Sequence, residues 1–292
     1  MPLVIGAVAP HGFPIIPELS EDADGAMATR EAMLTMGKRF KEADLDAIFI
    51  SGPHGIRVNG AISLADVGRA AGTLTWGENK IEMNFPVDLE LTDAIYDLAT
   101  ERDIPVVGVG YGGSNRNQSV LPADWGIMTP LWFAGHDVNV VGGGYVLAGL
   151  LGGVPEEPTG PPAIIANPSR MIPREYNVEF GKVVAEVAQA SERRIGFIAS
   201  CDWAHRHDPN GPNGFHPDAA RMDAEVCEAI KRNDILSLID LDDEYIHNAA
   251  IDGLWQLLML GGALEVVPME VDFLSYEAPT YYGMIVATYA PS

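Results

Sequence analysis

Short apolar runs alternate along this chain with longer segments in which apolar residues recur at helical spacing. The strand-like runs cover residues 3–9, 45–51, 104–110, 195–200 and 281–289. The helical pattern covers residues 21–44, 87–102, 176–193, 217–233 and 242–264, with Ser20 at the N-cap position of the first. Because strands that alternate with helices form parallel βαβ units, the pattern predicts an α/β fold with a mostly parallel central sheet and helices on both faces.

The length of 292 residues suits one large α/β domain, and we expect a single compact domain over residues 1–292. Proline and glycine cluster at residues 152–162, which favours a surface excursion within that domain over a linker between two domains. Residues 139–146 are apolar and rich in glycine, as at the end of a further strand. The chain shows no long repeat, but Pro-His-Gly occurs at residues 10–12 and again at 53–55.

Each Pro-His-Gly turn directly follows a predicted strand. In a parallel sheet the C-terminal ends of the strands share one edge, and ligands bind outside that edge. His11 and His54 can therefore converge, and the glycine after each histidine allows the backbone to turn sharply. Neutral imidazole is the commonest ligand of mid-row divalent metals. The repeated Pro-His-Gly turn therefore predicts a metal ion held by these two histidines.

A third polar cluster follows the strand predicted at residues 195–200. The loop at residues 199–215 contains Asp202, His205 and His207, and it offers little hydrophobic reason for its histidines. Such residues could form an acid–base element or add metal ligands, whereas an ordinary surface loop would leave them in solvent. His205 is the stronger functional candidate of the two histidines.

The formal net charge of −23 narrows the choice of partners. So acidic a chain argues against binding to nucleic acid and to anionic membranes. Residues 1–10 lack the basic segment of a signal peptide, and no apolar stretch reaches the roughly 18 residues of a membrane span. Cys201 and Cys227 are too few for a disulfide framework. We expect a cytoplasmic protein with reduced thiols.

The order of these motifs resembles that of the class III extradiol ring-cleavage dioxygenases, the LigB superfamily, which includes enzymes that open protocatechuate and aminophenol rings. The two Pro-His-Gly turns and the Asp-Trp-Ala-His loop are similar to that family's motifs. Further similar segments cover nearly the whole chain and lie at residues 120–133, 211–218, 254–264 and 275–287.

The resemblance implies a non-haem Fe(II) centre, with Mn(II) or Zn(II) as alternatives, that opens a catechol- or aminophenol-type ring with O2. By position, His11 and His54 match the family's metal-binding histidines. His205 matches the histidine beside the metal that acts as acid and base. The partners implied are the aromatic substrate and O2, together with further copies of the chain or a small accessory subunit.

The third metal ligand is less directly matched. The family carries a glutamate just before its C-terminal apolar helix, and here Ile251 takes that position with Asp252 beside it. We assign Asp252 as the third ligand, because the start of a helix readily accommodates a shift of one residue in the ligand position. Glu277 and Asp202 are the alternatives.

Aromatic residues in loops near the expected sheet edge could line a substrate pocket. We assign Trp125, Tyr111 and Phe215 to it, and Trp125 stands where some relatives have a histidine. Arg57 and Arg206 could pair with a substrate carboxylate or simply balance surface charge. Two other functions stay open: a metal-dependent hydrolase on the same scaffold, and a non-enzymatic member of the superfamily.

Overall fold

Eleven strands form two sheets in the computed structural model, which describes residues 2–12, 15–20, 25–137 and 159–291. The strands are β1 (Leu3–Ala9), β2 (Ala47–Ser51), β3 (Ile62–Ala65), β4 (Arg69–Trp76), β5 (Asn79–Pro86), β6 (Val106–Val109), β7 (Val120–Pro122), β8 (Ala163–Asn167), β9 (Ile195–Ser200), β10 (Glu270–Glu277) and β11 (Met284–Ala290). Eight of them form the main sheet in the order β10-β11-β1-β9-β2-β8-β3-β6, and the other three form a small sheet in the order β5-β4-β7. Residues 139–146 and 152–158, where the sequence predicts a strand end and most of the surface excursion, lie outside the described residues.

The four central strands of the main sheet, β1, β9, β2 and β8, run parallel. Strand β11 joins β1 in antiparallel fashion, and β3 joins β8 in the same way. The predicted mostly parallel sheet is confirmed, with antiparallel strands at its flanks. Since the parallel strands end at one edge, the turns after β1, β2 and β9 meet there.

Helices cover both faces of the main sheet, as predicted. They are α1 (Met27–Glu42), α2 (Leu89–Glu101), α3 (Trp125–Phe133), α4 (Glu175–Ala190), α5 (Asp218–Lys231), α6 (Asp243–Ala249) and α7 (Leu254–Val266). Helices α1 and α3 and the small sheet pack on one face, where Ile48 and Ile50 point. The other five helices pack on the opposite face, where Phe49 contacts Phe197 at 4.6 Å between ring centroids. Every helix among the described residues falls short, in length or in apolar content, of what a bilayer span requires.

Two elements differ from the sequence pattern in ways that matter for the site. The helix expected at residues 242–264 is two helices, because Ala250 adopts a left-handed φ of 52° and ends α6. The helix expected from residue 21 begins at Met27, and Ser20 does not cap it. Its first N–H groups, at Ala28 and Thr29, donate instead to the carboxylate of Glu277 on β10.

Two glycines allow α4 and α7 to lie in close contact. A Cβ atom at Gly181 would lie 1.8 Å from the carbonyl oxygen of Met259, and one at Gly262 would lie 2.0 Å from that of Val178. Because the obstructing atoms are backbone, a side chain can enter only if the helices move apart. This contact fixes α7, whose first turn follows Asp252 directly.

We expect Gly181→Ala to lower the free energy of unfolding by about 1–3 kcal/mol, the usual cost of overpacking. Urea denaturation followed by circular dichroism measures the change. Gly113→Ala is the matched control, since a Cβ at Gly113 meets nothing within 4 Å, and we expect a change below about 0.5 kcal/mol. Equal stability of Gly181→Ala and the wild type would contradict the close helix contact.

Candidate metal centre

The structure brings His11, His54 and Asp252 together at the predicted edge of the main sheet. His11 follows β1, His54 follows β2, and Asp252 lies in the break between α6 and α7. The Nε2 atoms of His11 and His54 each lie 3.9 Å from Oδ2 of Asp252. The candidate ligand atoms of the three residues all lie within 4.8 Å of one another, and no second group with this spacing occurs in the described ranges.

The two Pro-His-Gly turns need their glycines for different reasons. Gly55 has a φ of 85°, which a side chain rarely tolerates. Gly12 has ordinary backbone geometry, but a Cβ there would lie 2.3 Å from the hydroxyl oxygen of Tyr282. A backbone conformation that favours glycine therefore occurs in the second turn only, and the first turn needs glycine because of the close approach of Tyr282.

Hydrogen bonding fixes the tautomer of His11. Its Nδ1 lies 3.1 Å from the hydroxyl oxygen of Ser200, and that hydroxyl donates its own hydrogen to the carbonyl of Gly126. Ser200 must therefore accept from Nδ1–H, which leaves a lone pair on Nε2. That buried Nε2 atom has no hydrogen-bond partner among the described residues. A ligating histidine held by its other ring nitrogen is the usual arrangement in metal sites.

The carboxylate of Asp252 is also buried with an unused atom. Its Oδ1 makes no hydrogen bond within the described chain. Burial, together with the nearby charge of Asp202, raises the pKa of Asp252 well above its usual range. Arg170 offsets this rise only in part. A buried carboxylate with an unused oxygen is costly, and a bound cation would supply further charge and the missing contact. The orphaned atoms of His11 and Asp252 therefore fit a metal ion.

Burial also keeps the histidines neutral. It lowers the pKa of His54 to about 4, with the charges of His205 and Arg170 as smaller causes. The pKa of His11 falls well below 6.5, mainly through burial and then through His54. Both imidazoles are therefore unprotonated at neutral pH, and this is the form that binds metal.

His205 lies beside His11, His54 and Asp252, which are called the trio below, and it has a defined tautomer of its own. Its Nδ1 is 2.6 Å from the carbonyl oxygen of Trp203 and 3.1 Å from that of Ala250. Because carbonyls only accept, Nδ1 carries the hydrogen and Nε2 is free to accept a proton. Nε2 lies 3.8 Å from Oδ2 of Asp252, and burial lowers the pKa of His205. The arrangement suits a neutral base next to the trio.

A buried aspartate that the sequence analysis did not single out anchors the loop of His205. Asp223 on α5 is fully buried and accepts from the backbone N–H of Ala204 at 2.9 Å. It also lies 2.8 Å from Nε2 of His207 and accepts from the hydroxyl of Tyr276 at 3.0 Å. Ala204 and His207 flank His205, so Asp223 fixes the path of that loop. The available signal was a carboxylate on the apolar face of an amphipathic helix.

We expect Asp223→Asn to lower the free energy of unfolding by about 1–3 kcal/mol, because an amide cannot accept from all three donors. Urea denaturation measures the loss. Asp240→Asn, at an exposed position, is the matched control and should change the stability by less than about 0.5 kcal/mol. A variant at residue 223 as stable as its control would show that the loop is held by other contacts.

Two clefts meet at His54 and His205. One, of about 590 Å³, is walled by aromatic rings. The other, of about 760 Å³, is lined in part by charged side chains of both signs. The aromatic cleft is lined in part by Trp76, Trp125, Tyr281 and Tyr282. The charged cleft is lined in part by Arg57, Arg170, Arg206, Asp243 and Asp252.

Of the three predicted substrate-binding residues, Trp125 lines a cleft at the candidate metal centre, and Tyr111 and Phe215 do not. Trp125 lines the aromatic cleft, and its ring lies 4.4 Å from that of His54 between centroids. Tyr111 follows β6, which runs opposite to β8 through its pairing with β3, so it lies at the other edge of the sheet. Phe215 is 57% exposed. Neither Tyr111 nor Phe215 is among the described residues that line the two clefts.

The two alternative carboxylates have other structural tasks. Glu277 accepts from the N–H and the hydroxyl of Thr29, at 2.8 and 2.7 Å, and so holds the first turn of α1. Asp202 accepts from the backbone N–H of His11 at 3.0 Å and shapes the turn after β1. Its Oδ2 lies 3.3 Å from Nε2 of His11, which places Asp202 at the border of the trio.

Comparisons with known proteins found a matching family and a curated relative. A family model described as the catalytic LigB subunit of aromatic ring-opening dioxygenase matches residues 6–287. Protein CA_C1420 of Clostridium acetobutylicum is 23% identical over 270 residues, which cover 92% of this chain and 53% of that protein. This chain thus spans about half the length of that curated relative.

Among solved structures, the crystal structure of uncharacterized protein JW3007 from Escherichia coli K12 has a similar fold. The TM-score is 0.58, and the match covers 98% of this chain and 99% of that chain at 13% sequence identity. At that identity the likeness concerns the fold alone.

Proposed function

The chain belongs to the family of catalytic LigB subunits of aromatic ring-opening dioxygenases, and we propose that it is a non-haem Fe(II)-dependent extradiol dioxygenase. The family model matches the chain over nearly its whole length. Its substrate would be a catechol- or aminophenol-type ring, opened with O2. The observation that carries the proposal is the convergence of His11, His54 and Asp252, with a buried, unpartnered atom on two of the three.

In this proposal His11, His54 and Asp252 hold the iron. Two imidazoles and one carboxylate are the ligand set typical of non-haem Fe(II) oxygenases, and they leave positions open for substrate and O2. When bound, the ion supplies Lewis acidity toward a substrate hydroxyl and a redox centre for O2. Mn(II) or Zn(II) are the alternatives, because the same donors accept either ion.

His205 moves the proton. Its Nε2 is unprotonated and lies near the trio, so it can take a proton from a substrate hydroxyl and later return it. The carbonyls of Trp203 and Ala250 keep Nδ1 as a donor throughout. Help of this kind typically contributes about 10²–10⁴-fold to a rate.

The aromatic cleft holds the ring. Trp125 lies against His54, and the ring of Tyr282 stacks against that of His205 at 5.6 Å and 20°. The two aromatic side chains lie beside the two functional histidines, which suits a flat substrate whose reacting edge reaches the metal. A cleft of about 590 Å³ has the size of ordinary small-molecule sites.

The test is iron analysis combined with oxygen uptake. The purified protein is loaded with Fe(II) under nitrogen and mixed with catechol or 2-aminophenol before O2 is admitted. We expect one O2 consumed per ring opened, with the ring-opened product identified by mass spectrometry. Hydrolysis of esters or amides by the Zn(II)-loaded protein without oxygen uptake would favour the hydrolase. Failure to retain any metal would favour the non-enzymatic role.

The proposed partners are the aromatic substrate, O2 and either further copies of the chain or a small accessory subunit. Light scattering of the purified chain tests self-association. Oxygen uptake by the purified chain alone tests whether an accessory subunit is required.

A further inference from the structure

The hydroxyl group of Tyr282 is a hydrogen-bond donor at the edge of the candidate metal centre. Tyr282 lines the aromatic cleft, and its hydroxyl makes no hydrogen bond with the residues that the structure describes. The group lies against the turn of a proposed metal ligand, because a Cβ at Gly12, directly after His11, would lie 2.3 Å from the hydroxyl oxygen. The donor is therefore available to a molecule that enters the cleft.

Backbone hydrogen bonds hold the segment of Tyr282 to the loop of His205. The two residues that flank Tyr282 in sequence both bond to that loop. The bonds run from the N–H of His207 to the carbonyl oxygen of Tyr281 at 3.1 Å, from the N–H of Trp203 to that of Gly283 at 2.9 Å, and from the N–H of Gly283 to that of Ala204 at 3.1 Å. Because these bonds lie on both sides of Tyr282 and of His205, the spacing between the two side chains is fixed.

Tyr282 and His205 offer complementary polar groups to the same cleft. Their rings stack at 5.6 Å and 20°, and the ring of Tyr281 packs against that of Tyr282 at 4.9 Å. Nε2 of His205 can accept a proton, since its Nδ1 carries the hydrogen. The phenol of Tyr282 can donate, because burial and, as a smaller cause, the charge of Asp202 raise its pKa and keep it protonated. A proton acceptor and a hydrogen-bond donor thus lie side by side.

We propose that Tyr282 is a further catalytic residue, whose hydroxyl donates a hydrogen bond to the substrate oxygen that loses its proton to His205. The O–H bond of the substrate breaks, the proton passes to Nε2 of His205, and the electron pair stays on the oxygen. Tyr282 keeps its own proton and stabilises the negative charge that this oxygen gains, as a preorganised donor does in an oxyanion hole. The inference rests on the proposed function for the reaction and adds a donor that the function does not assign.

Tyr282→Phe removes the hydroxyl and keeps the ring. Because the hydroxyl has no hydrogen-bond partner in the described part of the chain, the variant should unfold at the same urea concentration as the wild type. It should also retain the same iron per chain, since Tyr282 is not one of the proposed ligands. The rate of ring opening should fall by about 10²-fold, the lower end of what one donor to a developing oxyanion contributes.

The probe 4-nitrocatechol reads this hydrogen bond without turnover. Its visible spectrum changes when a hydroxyl ionises, so the pH at which the bound probe ionises is measured under nitrogen on the Fe(II)-loaded protein. A hydrogen bond to the charged form favours ionisation. We therefore expect that pH to be about one unit higher in Tyr282→Phe than in the wild type, which is about tenfold in the ionisation constant. Tyr96→Phe is the matched control, because Tyr96 is an exposed residue of α2 and lines neither cleft as the described residues define them.

The outcomes separate a catalytic hydroxyl from a structural one. The same ionisation pH in Tyr282→Phe and the wild type, at equal metal content, overturns the proposal, and so does failure of the wild type to bind 4-nitrocatechol. Lower stability of Tyr282→Phe with an unchanged ionisation pH assigns the hydroxyl to the fold instead. The titration is repeated on the Zn(II)-loaded protein, where the same shift is expected. Absence of oxygen uptake would contradict the proposed function alone, since the ionisation is measured without O2.

Discussion

Loss of any one of His11, His54 and Asp252 is expected to abolish stoichiometric iron binding. The three residues offer one ligand atom each within 4.8 Å. Removing a residue that merely orients a metal ligand usually costs about 10–100-fold in affinity, so removing a ligand should cost at least about 100-fold. His11→Ala, His54→Ala and Asp252→Asn are loaded with Fe(II) under nitrogen, desalted and analysed for iron per chain. Full iron occupancy in any of the three would contradict the assignment.

Stability measurements separate loss of a ligand from loss of the fold. His216→Ala is the matched control, because it removes a histidine from a loop near the site but outside the trio, and it should retain iron. Asp252→Asn should leave the metal-free protein at least as stable as the wild type. The reason is that a buried carboxylate with an orphaned oxygen destabilises the fold when no cation is bound. The same substitution should remove the stabilisation that iron gives to the wild type.

The central strands could be predicted because burial on both faces makes them continuous apolar runs. Leu3–Ala9 and Ile195–Ser200 are nearly or wholly buried along their lengths, and each ends in a polar turn. The order of the strands across the sheet was not readable in the same way. Pairing of β9 between β1 and β2 depends on contacts between residues far apart in sequence, which local patterns do not encode.

Strand direction explains why Tyr111 lies at the opposite edge of the sheet from the one expected. A residue after a strand was expected at the same edge as His11 and His54, but that holds only for strands parallel to β1 and β2. Strand β6 runs the other way, since it pairs in parallel with β3, and β3 pairs in antiparallel fashion with β8. An apolar run predicts a strand equally well in either direction.

Asp252 shows how far the residues of the site could be predicted from sequence patterns alone. The apolar pattern runs across residues 242–264 and predicts one helix, although Ala250 ends α6 in a left-handed conformation. Asp252 could therefore be singled out only through the family resemblance. Asp223 was missed because a buried acidic side chain on a helix is recognisable only when its donors are known. Those donors come from the loop that begins after β9 and from β10.

His205→Phe is expected to keep iron and to lose about 10²–10⁴-fold in the rate of ring opening. The phenyl ring has nearly the same shape as imidazole but cannot accept a proton. His205 is not one of the three proposed ligands, and its Nε2 lies 3.8 Å from Oδ2 of Asp252, so iron per chain should match that of the wild type. Iron content and oxygen uptake with catechol are measured on the same preparation.

The pattern of effects distinguishes a catalytic role from a structural one. Phenylalanine leaves the carbonyls of Trp203 and Ala250 without the donor that Nδ1 supplies, which should cost about 1–3 kcal/mol of stability. His216→Phe is the control for a ring placed nearby and should keep most of the rate.

If loosening of the loop were the cause of slow turnover, Asp223→Asn would lower the rate as far as His205→Phe. A proton-transfer role for His205 predicts that Asp223→Asn retains most of the rate, because it leaves the imidazole in place. Turnover of His205→Phe within fivefold of the wild type at equal iron content would remove His205 from the chemistry.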